Sequence, residues 1–309
     1  MTVSRSILLW ASQNKWMKSN VPKLFFVQKA LKKFMPGEEV EYALSEAVSF
    51  QQRGLGTVFT KLGENITTLA EAEAVTNHYL EVLSKINNQK VSAEISLKLT
   101  QIGFDISVDA AKNNFGKILK SAEDKNNFIW IDMEQSAYVE KTIEFYKHFR
   151  KNFSSVGICL QAYLKRTMRH INDLLPVSPN IRLVKGAYME PPEIAFAQKS
   201  LVDKNYFEIA ETLLKFNKEG IARIAFATHD LNMISKIKEY SKLNDIRKDG
   251  FEFQMLYGIK PAEQIKIADE GYKIRVLISY GSAWYSWYMR RLAERPANVW
   301  FVLKNLVAK

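Results

Sequence analysis

Short apolar runs of strand length recur along the chain, and segments with a helical pattern separate them. Strands of a parallel sheet read as continuous apolar runs, because both faces of such a sheet are covered. Between the runs, apolar residues return every three or four positions, as Val139, Ile143 and Tyr146 do, which predicts one buried helix face. The eight predicted strands are residues 57–62, 93–99, 128–133, 156–160, 181–185, 223–227, 251–255 and 274–278.

This alternation predicts an α/β protein with a (β/α)8 TIM-barrel fold. Eight strand–helix units occupy residues 51–309, close to the roughly 250 residues of such a barrel. A doubly wound parallel sheet is the alternative, and it would need a glycine-rich phosphate fingerprint after an early strand. Gly54 and Gly56 begin such a pattern, but Phe59 stands where its third glycine belongs. The sequence therefore favours the barrel.

Positive charge is concentrated ahead of the predicted barrel. The chain has a net charge of +11, and its first 36 residues hold seven lysines and arginines and no acid. Leu24, Val27, Leu31 and Phe34 fall on one helical face of this segment. We therefore predict a basic amphipathic helical segment at 1–50 and a catalytic barrel at 51–309. The helix either packs on its own protein or lies on an anionic membrane surface.

Several classes of protein are disfavoured by composition. The single cysteine, Cys159, excludes an intramolecular disulfide, and no apolar run approaches the ~18 residues of a membrane-spanning helix. The four histidines are far apart, so we expect no metal site. No nucleic-acid-binding motif accompanies the basic charge, so we expect no nucleic-acid partner. We predict a cytoplasmic protein, with peripheral attachment to the inner membrane surface as an open alternative.

Polar residues stand at the carboxyl ends of the predicted strands. In a (β/α)8 barrel these ends meet at one mouth, where active sites lie. Lys98 and Asp132 are notable, because a charge within a strand is expensive to bury unless it is paired. Gly186 would let a ligand approach the backbone. The candidate residues are rich in cations, which suits a phosphate or carboxylate ligand: Lys98, Asp132, Gln161, Arg182, Lys185, Thr228, His229 and Gln254.

The last predicted helix carries a second group of charges. Arg290 and Arg291 are adjacent, and Glu294 is close enough on a helix to pair with either of them. Two guanidinium groups can converge on one carboxylate. A solvated charged face is the simpler interpretation of these three residues alone.

Seven short motifs follow one another along the chain: KLGEN at 61–65, LKLTQIG at 97–103, IWIDME at 129–134, RLVKGAY at 182–188, FATHD at 226–230, FQMLYG at 253–258 and RRLAERPAN at 290–298. Together and in this order they resemble the proline dehydrogenase family in its monofunctional form. The resemblance extends from about residue 37 to residue 298, and it implies a distorted (β/α)8 barrel.

The resemblance implies FAD at the barrel mouth and L-proline stacked on its isoalloxazine ring. Hydride would pass from proline C5 to flavin N5 and give Δ1-pyrroline-5-carboxylate, the first step of proline catabolism to glutamate. A quinone would be the usual electron acceptor, and a basic N-terminal helix would suit a membrane quinone.

Residue roles follow from the same motifs. Asp132 and Arg182 would be catalytic, with Asp132 orienting the cationic groups and Arg182 near flavin N5. Lys98, Arg290 and Arg291 would bind the proline carboxylate, with Tyr188 and Leu256 enclosing the substrate. The residues expected at the cofactor are Met133, Gln161, Lys185, Gly186, Ala187, Thr228, His229 and Glu294, the last of which would also hold the arginine pair.

Alternatives remain at the level of sequence. Leu277 and Trp287 stand where the family often has tyrosines, which leaves hydroxyproline or another cyclic imino acid as a possible substrate. A Schiff-base aldolase using Lys185 is a competing enzyme class. A non-catalytic basic binding protein is a further alternative.

Overall fold

Eight parallel strands close into a barrel in chain order, because the last strand pairs with the first. The structure is a computed structural model that describes residues 31–63, 66–218 and 222–285, with Asn14, Met17 and Asn20. The predicted (β/α)8 barrel is confirmed, and every predicted strand end lies within two residues of the observed one. The strands are β1 Gly56–Lys61, β2 Ala93–Leu97, β3 Ile129–Ile131, β4 Val156–Gln161, β5 Ile181–Val184, β6 Ile224–Ala227, β7 Glu252–Leu256 and β8 Lys273–Tyr280.

Helices cover the outside of the barrel. Val139, Ile143 and Tyr146 are buried against it, so the predicted helix face is confirmed. Short 3-10 turns lie at Leu99–Ile102, Ser136–Tyr138, Leu175–Val177 and Lys248–Gly250. The helix predicted after β8 lies outside the described residues. The α-helices are α1 Val40–Gln51, α2 Leu69–Gln89, α3 Val108–Asp124, α4 Val139–Arg150, α5 Thr167–Leu174, α6 Lys199–Phe216, α7 Leu231–Leu243 and α8 Pro261–Asp269.

A tryptophan fills the centre of the barrel. Trp130 on β3 is fully buried, and Gly157 on β4 gives its ring room: a Cβ at Gly157 would stand 2.5 Å from it. The guanidinium carbons of Arg182 and Arg223 each lie 5.2 Å from the ring centroid. A buried indole face attracts a cation through the ring quadrupole. Trp130 therefore helps to make charged side chains tolerable inside the barrel.

The end of the basic N-terminal segment packs on the barrel. Leu31 and Met35 are buried. The backbone carbonyl of Glu38 accepts a hydrogen bond from the Gly281 amide at 2.7 Å, and its carboxylate accepts one from the Trp284 indole at 2.9 Å. Residues 31–38 therefore pack on the protein itself, as one of the two interpretations of the segment predicts. The division predicted after residue 50 falls one residue before the end of α1, and that division stays a prediction.

Two glycine substitutions test the packing of the barrel centre. Gly157→Ala would push a methyl group into the Trp130 ring, and we expect it to lower the free energy of unfolding by about 1–3 kcal/mol. Gly116→Ala in α3 is the matched control, because its Cβ would meet Phe149 at an ordinary 3.7 Å. It should raise stability by about 0.5–1 kcal/mol through helix propensity. Urea unfolding measures both values, and equal effects would contradict this description of the core.

Candidate active site

Residues near or directly after the carboxyl ends of all eight strands line one cavity of about 770 Å³. Every predicted site residue that the structure describes lines it. Arg290, Arg291 and Glu294 lie outside the described residues, as does Trp287. The predicted residues that line the cavity are Lys98, Asp132, Met133, Gln161, Arg182, Lys185, Gly186, Ala187, Tyr188, Thr228, His229, Gln254 and Leu256. Their location is observed, whereas their assignment to substrate or cofactor stays a prediction.

Arg182 forms the buried charged centre of this cavity. Its side chain is 2% exposed, and its guanidinium pairs with the Asp132 carboxylate. It also donates to the Ser96 hydroxyl at 2.7 Å, and Ser96 in turn donates to Asp132 at 2.8 Å. Burial alone would lower the pKa of Arg182, but the charge of Asp132 outweighs it and raises the pKa. The arginine therefore carries a permanent positive charge at the floor of the cavity.

A second cation lies at the periphery of the same cavity. The Lys185 ammonium donates to Asp203 at 2.5 Å and to Asp230 at 2.7 Å. Asp230 also caps α7, because its carboxylate accepts from the backbone amides of Asn232 and Met233. Burial alone would raise the pKa of Asp230, but the hydrogen bond and charge of Lys185 lower it to about 2. Lys185 is thus held in place by two elements, α6 and α7.

Sequence reasoning did not select the two acids that hold Lys185. Asp230 ends the motif at 226–230, so the motif itself carried the signal. Asp203 lies on α6, four residues after Lys199, and nothing in its spacing pointed to the barrel mouth. Ser96 was missed for a similar reason, because a small hydroxyl within an apolar run does not stand out.

The backbone between Lys185 and Tyr188 lies close to the aromatic ring of Tyr163. Gly186 has a φ of +115°, and a Cβ there would lie 2.0 Å from the Tyr163 ring. The Tyr163 amide donates to the Lys185 carbonyl at 2.8 Å, and this hydrogen bond holds the two backbone segments together. Only glycine fits this conformation and this space. The segment therefore exposes main chain to the cavity.

Two polar side chains of the cavity, Gln161 at the end of β4 and His229 after β6, have directed hydrogen-bonding groups. The Gln161 amide nitrogen lies 3.5 Å from the Met133 carbonyl, while its buried oxygen has no hydrogen-bond partner among the described residues. His229 accepts a hydrogen bond from the Leu256 amide through Nε2 at 2.8 Å, so the neutral ring carries its proton on Nδ1. An orphaned buried oxygen is costly unless a ligand or water completes it.

These features define a class of protein before any comparison. A (β/α)8 barrel with a cation-lined, partly apolar cavity at the carboxyl ends of its strands is typical of an enzyme, and the cations suit an anionic organic ligand. Within the described residues, no group of three or more His, Cys, Asp or Glu side chains is placed to hold a metal ion.

Comparison with known proteins identifies the family. The family model described as Proline dehydrogenase matches residues 43–304, so the chain belongs to the proline dehydrogenase family of oxidoreductases. It is 36% identical to Proline dehydrogenase 2 of Bacillus subtilis subsp. natto over 309 residues, covering 100% of each chain. It is 33% identical to the Proline dehydrogenase of Deinococcus radiodurans over 281 residues, 89% of each chain.

A solved structure shares the fold. Proline utilization A from Bdellovibrio bacteriovorus, inactivated by N-propargylglycine, aligns with a TM-score of 0.78 at 23% identity and covers 93% of this chain and 38% of that one. The likeness supports the barrel architecture.

Family membership implies a flavin cofactor, and the cavity residues fit such a group. The unpartnered Gln161 oxygen can accept a hydrogen bond from an N–H of a heterocyclic ring. The exposed main chain at Gly186 can approach a ligand closely, and Lys185 can bind a phosphate. The structure thus offers an acceptor, a close backbone contact and a cation to one cofactor.

A pair of glycine variants tests the Gly186 segment. In Gly186→Ala the new methyl group meets Tyr163 and must displace residues 185–188, so we expect the protein to retain less than about a tenth of the wild-type flavin. Gly54→Ala is the control: it also has a positive φ, +74°, but a Cβ there meets nothing within 4 Å. It should cost about 1–2 kcal/mol of stability and leave flavin content unchanged. Absorbance of the purified proteins gives the flavin content. Full retention of flavin by Gly186→Ala would contradict a contact between the Gly186 main chain and the flavin.

Proposed function

We propose that the protein catalyses FAD-dependent oxidation of L-proline to Δ1-pyrroline-5-carboxylate, the first step of proline catabolism. The observation that carries this proposal is the cavity itself, which gathers the family's motif residues around a buried arginine. FAD is the finer assignment within the flavins, and Lys185 supports it: the ammonium lines the cavity and has a third N–H that a pyrophosphate oxygen could accept, beside the two that Asp203 and Asp230 accept.

The cofactor contacts follow the cavity wall. Gln161, Thr228 and His229 would contact the flavin through side chains, and Gly186 and Ala187 through the main chain. A bound flavin would supply the oxidant for removal of a hydride from C5 of proline, which accompanies loss of a proton from the ring nitrogen. Met133 and Lys185 would complete the cofactor site.

The substrate carboxylate would be held by cations at the mouth. Lys98 lines the cavity beside Asp132, and Arg290 and Arg291, outside the described residues, would join it, with Glu294 holding that pair. A charge-assisted contact at the carboxylate fixes which carbon of the ring faces the oxidant. Tyr188 and Leu256 would enclose the ring.

Arg182 has a different task from these carboxylate ligands. It is buried and its charge is already engaged by Asp132. A fixed charge in a desolvated site costs no reorganisation when negative charge develops on a neighbouring group. Arg182 would therefore favour the more negatively charged, reduced form of the cofactor.

The competing enzyme class receives no support from the site. Lys185 donates to two carboxylates, whereas a Schiff-base lysine needs a free, desolvated amine. Leu277 does line the cavity, so an apolar side chain faces the region where the family often has tyrosine. That observation favours a second candidate substrate, a cyclic imino acid such as 4-hydroxyproline.

The reduced cofactor must pass its electrons on, and we propose a membrane quinone as acceptor for a protein attached peripherally to the inner surface of the cytoplasmic membrane. No helix in the described part of the chain is long and apolar enough to cross a membrane. The basic segment ahead of residue 36 would supply attraction to anionic lipids.

Anaerobic reduction of the flavin tests the substrate. The FAD-loaded protein should show flavin absorption bands that bleach within one turnover on anaerobic addition of L-proline. In Lys98→Met the proline concentration for half-maximal bleaching should rise at least about tenfold, because a charge-assisted contact with the carboxylate is lost. Persistent bands with proline but bleaching with 4-hydroxyproline would select the second substrate, and persistence with both would refute the proposed activity.

Vesicle binding tests the attachment to the membrane. We expect about a tenfold or greater loss of binding to vesicles containing anionic lipid when four N-terminal lysines become glutamine, since each lysine near such a surface contributes about 1 kcal/mol. Turnover with a soluble dye should not change. The lysines are Lys15, Lys18, Lys23 and Lys29. The matched control replaces four exposed lysines of the barrel, Lys117, Lys120, Lys141 and Lys151. Equal vesicle binding by both variants would rule out the segment as an anchor.

A further inference from the structure

A neutral cluster of four charges lies inside the barrel below Arg182. Arg223 contacts Glu94 at 2.8 Å and Glu252 at 2.8 Å, and Arg275 contacts the same two acids at 3.0 and 3.3 Å. Both carboxylates are buried. As charge neutralisers of the arginine pair, Glu94 and Glu252 are therefore nearly equivalent.

Glu252 is joined to Arg182 of the active site by hydrogen bonds through one side chain, Gln254. The Gln254 amide nitrogen donates to Glu252 Oε1 at 2.6 Å, and the Gln254 amide oxygen accepts from Arg182 Nη1 at 3.4 Å. Both glutamine groups are thus engaged, one toward the ion cluster and one toward the cavity floor. Glu94 instead accepts from the Trp130 indole at 3.0 Å.

The charges at the two ends determine how the Gln254 amide is oriented. A reversed amide would place its N–H groups against the Arg182 guanidinium, which has only donors, and its oxygen against the Glu252 carboxylate, which has only acceptors. Burial alone would raise the pKa of Glu252, but Arg223 and Arg275 outweigh it and hold the pKa below its usual value. The carboxylate therefore remains an acceptor at neutral pH.

We propose that Glu252 is a positioning residue for Arg182, acting through the Gln254 amide to fix the guanidinium beneath the flavin. The proposal rests on the function above, in which Arg182 acts on the cofactor. Asp132 and Ser96 hold one edge of the guanidinium, and Gln254 holds Nη1. Without an acceptor at Nη1, the buried group must turn to satisfy that N–H, and its charge moves with it.

Glu252→Gln isolates this role. In the variant one carboxylate oxygen becomes an NH2 group, so a hydrogen bond from either the arginine pair or Gln254 is lost. The arginine charges favour keeping their own acceptor, which leaves the NH2 group against the Gln254 amide. We expect flavin reduction at saturating proline to slow about tenfold with KM within about twofold, because the carboxylate ligands are untouched. The midpoint potential should become more negative by about 30 mV, the two-electron equivalent of a tenfold change in equilibrium.

Glu94→Gln is the matched control. It removes the same charge from the same two arginines without touching Gln254. Both variants should lose comparable thermal stability, whereas Glu94→Gln, which leaves the Gln254 hydrogen bonds in place, should slow the rate and shift the potential clearly less than Glu252→Gln does. Should Glu252→Gln fail to fold, Glu252→Asp keeps the charge but withdraws the carboxylate by one methylene, about 1.5 Å, and should shift the potential in the same direction.

A double-variant cycle tests whether Glu252 acts on Arg182 through Gln254. If Glu252 acts through Gln254, then Gln254→Leu alone should reproduce the slower rate, and adding Glu252→Gln to it should change the rate by less than about twofold. If the effects of the two substitutions on the rate are additive, or if Glu252→Gln and Glu94→Gln have equal midpoint potentials, Glu252 has only a structural role. A wild-type protein that binds flavin but is not reduced by proline would refute the proposed function instead, while the potentials would still decide the role of Glu252.

Discussion

The burial of Arg182 is the constraint on which the active site depends. A guanidinium inside a barrel is tolerable only when its donors find partners, because an unpaired buried charge costs several kcal/mol. Asp132 and Ser96 accept hydrogen bonds from one edge of the Arg182 guanidinium, and Gln254 accepts one from Nη1. The ring of Trp130 lies against the same guanidinium. These partners come from β2, β3 and β7, so satisfying one side chain on β5 fixes the relative positions of four strand ends.

The barrel interior separates into two charged levels with the Trp130 ring between them. The lower level is a set of two arginines and two glutamates whose charges balance, and none of the four lines the cavity. The upper level, Arg182 with Asp132, opens into the cavity and can act on a ligand. Gln254 is the hydrogen-bonded connection between them, so a residue that looks structural can bear on chemistry.

The sequence predicted the strands and the residues that line the cavity for one physical reason: the strands of a parallel barrel are apolar on both faces and end at the same mouth. It could not predict the lower charged level, because Glu94, Arg223 and Glu252 sit at strand starts, where an inward or outward direction is known only once the barrel closes. Nor did it place Asp203, which reaches Lys185 from a helix through tertiary packing.

The central claim is that a carboxylate-anchored proline loses hydride from C5 to a flavin in this cavity. Its most direct measurement is anaerobic flavin reduction with proline deuterated at C5, compared with proline deuterated at the carbon that bears the carboxylate. The account predicts a severalfold slowing with deuterium at C5 and none with deuterium beside the carboxylate. Slowing only by deuterium beside the carboxylate would mean oxidation at the other carbon, and would contradict the proposed product and the orientation that the cations impose.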